Sequence, residues 1–165
     1  MNDIINSKIW QGIVEKLTKQ NFTIATMESC TGGAIVNEIT CISGASQVLK
    51  ESYVTYSNEA KIKQGVSNHI IEKYTVYSKE TAIEMARVVK KIANSNLAIG
   101  VTGQIGRIDP NNRVDKLNYV WYSIINNKND VIVKEIKVPN DDRKIQKQYI
   151  LDCIAEDLAE AIDVN

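Results

Sequence analysis

The chain has 165 residues, with 20 Lys and Arg against 20 Asp and Glu and a single His, so its formal net charge is zero. A 44% hydrophobic and 24% charged content is that of a globular protein, and the length suits one domain over residues 1–165. Neutrality argues against a nucleic-acid binder working through a basic field, and eight glycines with two prolines leave little material for a disordered linker.

Residues 7–19 place Ile9, Trp10, Ile13, Val14 and Leu17 on one helical face. Residues 23–27 are short, β-prone and mostly apolar, and read as a strand. Residues 30–42 read as a helix entered through Gly32 and Gly33. Residues 48–56 combine β-branched and aromatic side chains in a second strand, after which Ser57 or Asn58 caps a short helix stopped by Gly65. Ser78 caps a longer helix to residue 93, with Ile83, Ala86, Val89 and Ile92 along one face. Residues 97–101 read as a buried strand. Two further strands, 119–125 and 131–138, are joined by a polar bridge short enough for a hairpin. Asn140 or Asp141 then caps a last helix with Ile145, Ile150, Cys153, Ile154, Leu158 and Ile162 toward the core. Interleaved helices and strands predict an α/β fold with helices on both faces of a sheet. The hairpin makes that sheet mixed, though mostly parallel.

The first ten residues are interrupted by Asn2, Asp3, Asn6, Ser7 and Lys8, so no signal-peptide core is expected. No apolar run approaches bilayer length, and no membrane association is expected. Cys30, Cys41 and Cys153 are odd in number and lack paired metal spacing. Neither a disulfide framework nor a metal site is expected, and a reducing cytoplasm is the expected compartment.

Glycine is sparse and then clustered, at Gly32 and Gly33 and again at Gly100, Gly103 and Gly106, which suggests close backbone approach at those places. The first cluster belongs to Glu28-Ser29-Cys30-Thr31-Gly32-Gly33, between a strand and a helix. Exposed N–H groups and the helix dipole there favour an anion or a developing oxyanion. Ser29, Cys30 and Thr31 add nucleophilic or hydrogen-bonding groups. On the pattern alone, Ser29 or Thr31 could equally be a simple helix cap. The second signal is Tyr56-Ser57-Asn58-Glu59-Ala60-Lys61, where Tyr56 at a strand end and Lys61 one turn into a helix could face one cleft. A solvated lysine on a capped surface helix is the other reading. The third, Gly100-Val101-Thr102-Gly103-Gln104-Ile105-Gly106, ends a buried strand, where open α/β sheets place ligand crevices. It has neither dinucleotide-fingerprint nor phosphate-loop spacing. Cys30 with His69 as base is an alternative nucleophilic pair.

The segments 25–33 and 54–61 together closely resemble the C-terminal domain of the CinA family, with Gly65-Val66, Val101-Thr102-Gly103 and Asp142-Arg143 as weaker matches. The resemblance runs over residues 22–158. It implies a three-layer α/β/α sandwich and, from stand-alone family members, metal-independent deamidation of nicotinamide mononucleotide (NMN) to nicotinic acid mononucleotide and ammonia. It places the nucleophile on Ser29, with Tyr56 and Lys61 assisting. It implies no cofactor, a small pyridine nucleotide as partner, and a homo-oligomer. Consistent chemistry is available. A lysine can activate a serine if neutral, and burial supplies neutrality. Backbone N–H groups near Gly32 and Gly33 would form the oxyanion hole. Thr102 and Asn58 would orient the carboxamide beside Gly103, and Arg143 would take the phosphate. Trp121 and Tyr122 are expected to pack in their strand.

After Gly103 the chain departs from the family pattern. The later Gly-Gly pair is missing, the Lys-Pro-Val-Gly segment survives only as Lys116, and Asn140 replaces a glycine before Asp142-Arg143. Asparagine in such loops can still adopt positive φ. Three functions stay open: an NMN deamidase with a remodelled loop; an amidohydrolase for another small amide, with Arg107 or Arg113 reading an extra anionic group; and a non-catalytic nucleotide-binding or interaction module.

Overall fold

The structure is a computed structural model that describes residues 2–112 and 114–163, with side chains from Lys8 onward; Arg113 lies outside the described residues. In chain order the elements are α1 (Asn2–Gln20), β1 (Ile24–Glu28), α2 (Ala34–Thr40), a 3-10 turn (Ala45–Gln47), β2 (Leu49–Val54), α3 (Asn58–Lys63), α4 (Asn68–Tyr74), α5 (Lys79–Ala93), β3 (Leu97–Gln104), β4 (Tyr119–Ile125), β5 (Val131–Lys137) and α6 (Arg143–Asp163). The sheet order is β2-β1-β3-β4-β5. β1 pairs parallel with β2 and β3, while the β3–β4 and β4–β5 ladders are antiparallel. Only β4 therefore runs against the other strands, as the predicted hairpin requires.

The strand alternation builds three layers. Ile24, Leu97, Ile99 and Val101 point to one face and share a core with Trp10, Ile13 and Leu17 of α1, Ile35 and Ile39 of α2, and Ile150, Ile154 and Leu158 of α6. Ala25, Met27 and Ala98 point to the other, against Ile71 of α4 and Met85 and Val89 of α5. All residues of β1 and β3 are buried, the polar Thr26, Glu28, Thr102 and Gln104 included, as suits their central place in the sheet.

Several expectations are corrected. The residues before Ala34 form a turn, because Gly32 and Gly33 take left-handed φ of 62° and 93°. Helix α4 was not separately predicted. β3 continues to Gln104, because it pairs with β4 along its whole length. The core face of α5 is Ala82, Met85, Ala86 and Val89, and Ile92 is exposed. The reason is Gly100: a Cβ there would lie 2.3 Å from the Ala82 carbonyl oxygen and 2.6 Å from the Ala86 nitrogen. The small-residue side of α5 thus lies directly on β3, and Gly100 serves packing, not a substrate edge. Helix α6 is capped by Asp142, whose Oδ1 accepts from the Lys144 and Ile145 amides at 2.8 and 3.0 Å. Asn140 and Asp141 are not its cap, and Ile145, in the first turn, is exposed. Among the described residues no helix is long and apolar enough to cross a membrane.

Candidate active site

The carboxyl ends of β1, β2 and β3 lie side by side, since Glu28 is paired with both Val54 and Val101. Chain leaving these ends lies at the crevice typical of open α/β sheets. Ser29 follows β1 directly. Thr55 and Tyr56 follow β2, and the Thr55 amide donates to the Glu28 carbonyl at 2.8 Å. Ser57 caps α3 by accepting from the Ala60 amide, which fixes where the helix starts and so where Lys61 points.

Lys61 is 1% exposed. Its Nζ lies 2.9 Å from Ser29 Oγ and donates to the Thr55 carbonyl at 2.7 Å. Burial pulls its pKa from 10.5 down to about 8, against the opposing influence of Cys30 and Asp109. One amine is thereby anchored to a fixed carbonyl and aimed at one hydroxyl. In the neutral state its lone pair can accept the Ser29 proton while an N–H holds Thr55. The solvated-lysine reading is excluded by this burial.

Cys30 is buried as well, and burial pushes its thiol up to about 12, so it is not a thiolate near neutrality. His69 is exposed on α4. The alternative Cys30–His69 pair is not assembled.

The Ser29 turn rests on Glu28, which is fully buried. Its Oε1 accepts from the Thr31 hydroxyl at 2.7 Å and the Ile35 amide at 2.9 Å, and its Oε2 accepts from the Val36 amide at 3.1 Å. A carboxylate at the first turn of α2 satisfies otherwise unpaired helix amides and suits the helix dipole. Thr31 therefore faces inward, away from ligand. The Gly32 amide donates to the Ser29 carbonyl at 3.0 Å. Neither Gly32 nor Gly33 lines the cavity. The two glycines shape the turn, and the expected oxyanion hole at Gly32 is not formed by that amide.

Above Ser29 opens a cavity of about 690 Å³, lined among others by Cys30, Tyr56, Asn58, Gly103 and Arg143. Arg143 donates through Nη2 to the Tyr56 hydroxyl at 3.2 Å and through Nη1 to the Ile105 carbonyl. Tyr56 thus contacts Arg143, not the Ser29–Lys61 pair. Thr102 is fully buried, donates to the Val76 carbonyl at 2.9 Å, and does not reach the cavity. Gly103 is there because a Cβ would lie 2.6 Å from the Tyr119 carbonyl of β4. Tyr122 packs in its strand as expected, with its hydroxyl on Asp157 at 2.6 Å.

Sequence reasoning missed the part played by residues 105–112. Asp109 lines the cavity, accepting at Oδ2 from the Tyr77 hydroxyl (2.7 Å) and Asn112 Nδ2 (2.8 Å), and at Oδ1 from the Asn111 amide (2.8 Å). Partial burial opposes its ionisation, but these hydrogen bonds and Lys61 outweigh it, and its pKa lies below the ordinary value. Tyr77 is pushed upward by burial and by the Asp109 carboxylate. Asn112 Oδ1 accepts from Asn58 Nδ2 at 2.7 Å, which joins the segment to α3. The sequence Asp109-Pro110-Asn111-Asn112 is itself a turn signal, and an Asx turn is what forms. Arg107 is exposed on the cavity wall. Among the described residues no group of three or more His, Cys, Asp or Glu is arranged to hold a metal ion.

The chain is similar to known proteins in both sequence and fold. The model of the CinA C-terminal domain matches residues 6–159. A CinA-like protein of Fervidobacterium nodosum is 50% identical over 95 residues, 57% of this chain and 23% of that protein. A CinA-like protein of Kosmotoga olearia is 39% identical over the same 57% and 23%. The chain thus spans about a quarter of the length of these curated relatives. The crystal structure of the competence/damage inducible protein CihA from Agrobacterium tumefaciens is 26% identical and superposes with a TM-score of 0.88 over 94% of both chains. With the family model covering nearly the whole sequence, this chain belongs to the CinA C-terminal domain family.

Proposed function

We propose that the protein is an amidohydrolase that deamidates NMN to nicotinic acid mononucleotide and ammonia. The observation that carries this reading is the buried Lys61 Nζ, 2.9 Å from Ser29 Oγ at the floor of the cavity. A lysine pulled to about 8 is neutral in roughly one molecule in ten at pH 7, against a few in ten thousand for an unperturbed one.

Neutral Lys61 takes the Ser29 proton as Oγ attacks the carboxamide carbon. The protonated amine then gives that proton to the departing nitrogen, and ammonia leaves an acyl ester on Ser29. Water, deprotonated by the same amine, cleaves the ester to the carboxylic acid and restores the hydroxyl. Arg143, with Tyr56 against it, and Arg107 offer guanidinium donors to the phosphate. Asn58 offers an amide to the carboxamide or the ribose.

Ammonia release from NMN, nicotinamide riboside and nicotinamide tests the reading. NMN is expected to be preferred, and Ser29→Ala and Lys61→Ala to be inactive. Hydrolysis unchanged in both variants would remove the mechanism. Binding of NMN or its acid product without turnover of any amide would favour a binding module.

A further inference from the structure

We infer that Asp109 sets substrate selectivity, its carboxylate facing the site so as to favour an amide whose ring is a cation, an N-ribosylpyridinium, over the same amide on an uncharged ring. This rests on the proposed carboxamide substrate and concerns what recognises its ring.

Asp109 is a carboxylate on the cavity wall with its oxygens held by a hydroxyl, an amide side chain and a backbone N–H. All three are neutral donors, so they fix the group and leave its charge uncancelled. Among the described residues no Lys or Arg forms an ion pair with it, although Arg107 and Arg143 line the same cavity. Arg143 is instead engaged by Tyr56 and the Ile105 carbonyl.

The nearest buried amine is Lys61, and that amine works as a base only when uncharged. Asp109 opposes this, since a nearby anion favours protonated lysine. A fixed anion that works against the base is reconciled with catalysis if the substrate brings the missing positive charge. A pyridinium ring supplies it, and the phosphate of the same molecule supplies the anion for the arginines. The wall carries both signs, as does an N-ribosylpyridinium phosphate.

The test compares NMN with its reduced form, which keeps the carboxamide, ribose and phosphate but has an uncharged dihydropyridine ring. In the unmodified chain kcat/KM is expected to favour NMN. Asp109→Asn keeps an acceptor for Tyr77 and removes the charge. It should cut the NMN-to-reduced-NMN ratio on the order of tenfold, the effect of one unit charge at short range in a wet cavity. Tyr77→Phe, which keeps the carboxylate, should retain the ratio whatever its turnover. Dissociation constants of both nucleotides on Ser29→Ala, with and without Asp109→Asn, give the same ratio without chemistry. Equal losses for both nucleotides, or an unchanged ratio, overturn the inference, because a purely structural role cannot sense ring charge. Charge-selective binding without turnover would sink the deamidase reading and keep this one. Turnover without charge selectivity would do the reverse.

Discussion

The Ser29 turn and the segment after β3 both border the cavity, and they are held in different ways. The turn hangs on one fully buried carboxylate, Glu28, which gathers the Thr31 hydroxyl and the Ile35 and Val36 amides. The segment is held by several separate groups, the Asp109 carboxylate, the Arg143 guanidinium on the Ile105 carbonyl, and the neutral amides of Gln104 and Asn118. Gln104 donates to the Val114 carbonyl at 2.7 Å and accepts from the Asp109 amide at 2.7 Å. Asn118 accepts from the Gly106 amide at 2.9 Å and from Gln146 at 3.1 Å. Charge-assisted bonds gathered on one buried carboxylate are individually strong, whereas each neutral amide bond contributes about 1 kcal/mol. The nucleophile therefore depends on a single buried anchor. The recognition wall is built on several separate anchors, so one of them can change without disturbing Ser29.

The largest expected effects fall on the turn. Ser29→Ala and Lys61→Met should each lower kcat on NMN by about a thousandfold or more, and the double variant should be hardly worse, because nucleophile and base act as a unit. Additive losses would show that the two do not share a proton. Glu28→Ala leaves three buried donors unmatched and should cost about 3–4 kcal/mol in denaturant unfolding. A loss under about 1 kcal/mol would mean the turn is held otherwise and the contrast with the loop is false.

Lys61 also leaves a signature on stability. Its folded pKa, about 8, lies below the 10.5 of the unfolded chain, so between those pH values the unfolded state binds more protons. Stability should therefore rise with pH across that window, by about 3 kcal/mol at most, and the burial penalty is fully present below pH 8. Lys61→Met should lack this rise in urea melts at pH 7.5, 9 and 10.5. The acid limb of kcat/KM should have its midpoint near 8 in the unmodified chain. A flat profile from pH 6 to 9 would exclude Lys61 as the base.

The same contrast describes what the sequence disclosed. Strand runs and Ser57 and Ser78 caps follow from local chemistry, and all were legible. Ser29 and Lys61 were legible as candidates, but their contact depends on β1 and β2 pairing in register, a long-range fact. Glu28 stood inside the motif with no role, because a buried carboxylate on helix amides has no spacing of its own. Thr31 and Thr102 looked available to ligand for the converse reason: a hydroxyl's partner is invisible until the fold closes over it. Asp109 is not legible as a site residue because Asp-Pro-Asn-Asn signals only a turn, and its partner Tyr77 lies 32 residues away in sequence. Ile145 and Ile92 were assigned to the core by periodicity, which does not know where a helix is capped or which neighbour it touches.

The smallest expected effect tests the loop side. Asn118 holds a left-handed φ of 62°, as asparagine can where the family carries glycines nearby, and its Oδ1 accepts two hydrogen bonds. Asn118→Ala should cost about 2–3 kcal/mol, about 1 from backbone strain and the rest from the lost acceptor. Asn118→Gly should cost about 1 kcal/mol less, because it removes the strain and not the lost bonds. One donor left behind, Gln146 Nε2, keeps a partner in the Pro139 carbonyl at 2.9 Å, which limits the damage. The catalytic consequence should appear in KM. Gly106 sits against Arg143, where an added Cβ would lie 3.2 Å from its side chain, so loosening Gly106 loosens the proposed phosphate donor and leaves Ser29 and Lys61 in place. A two- to fivefold rise in KM at constant kcat is the expected order of magnitude for such a change in uniform binding. If kcat falls as far as it does in Lys61→Met, the loop is part of the chemistry and the division between the two regions fails.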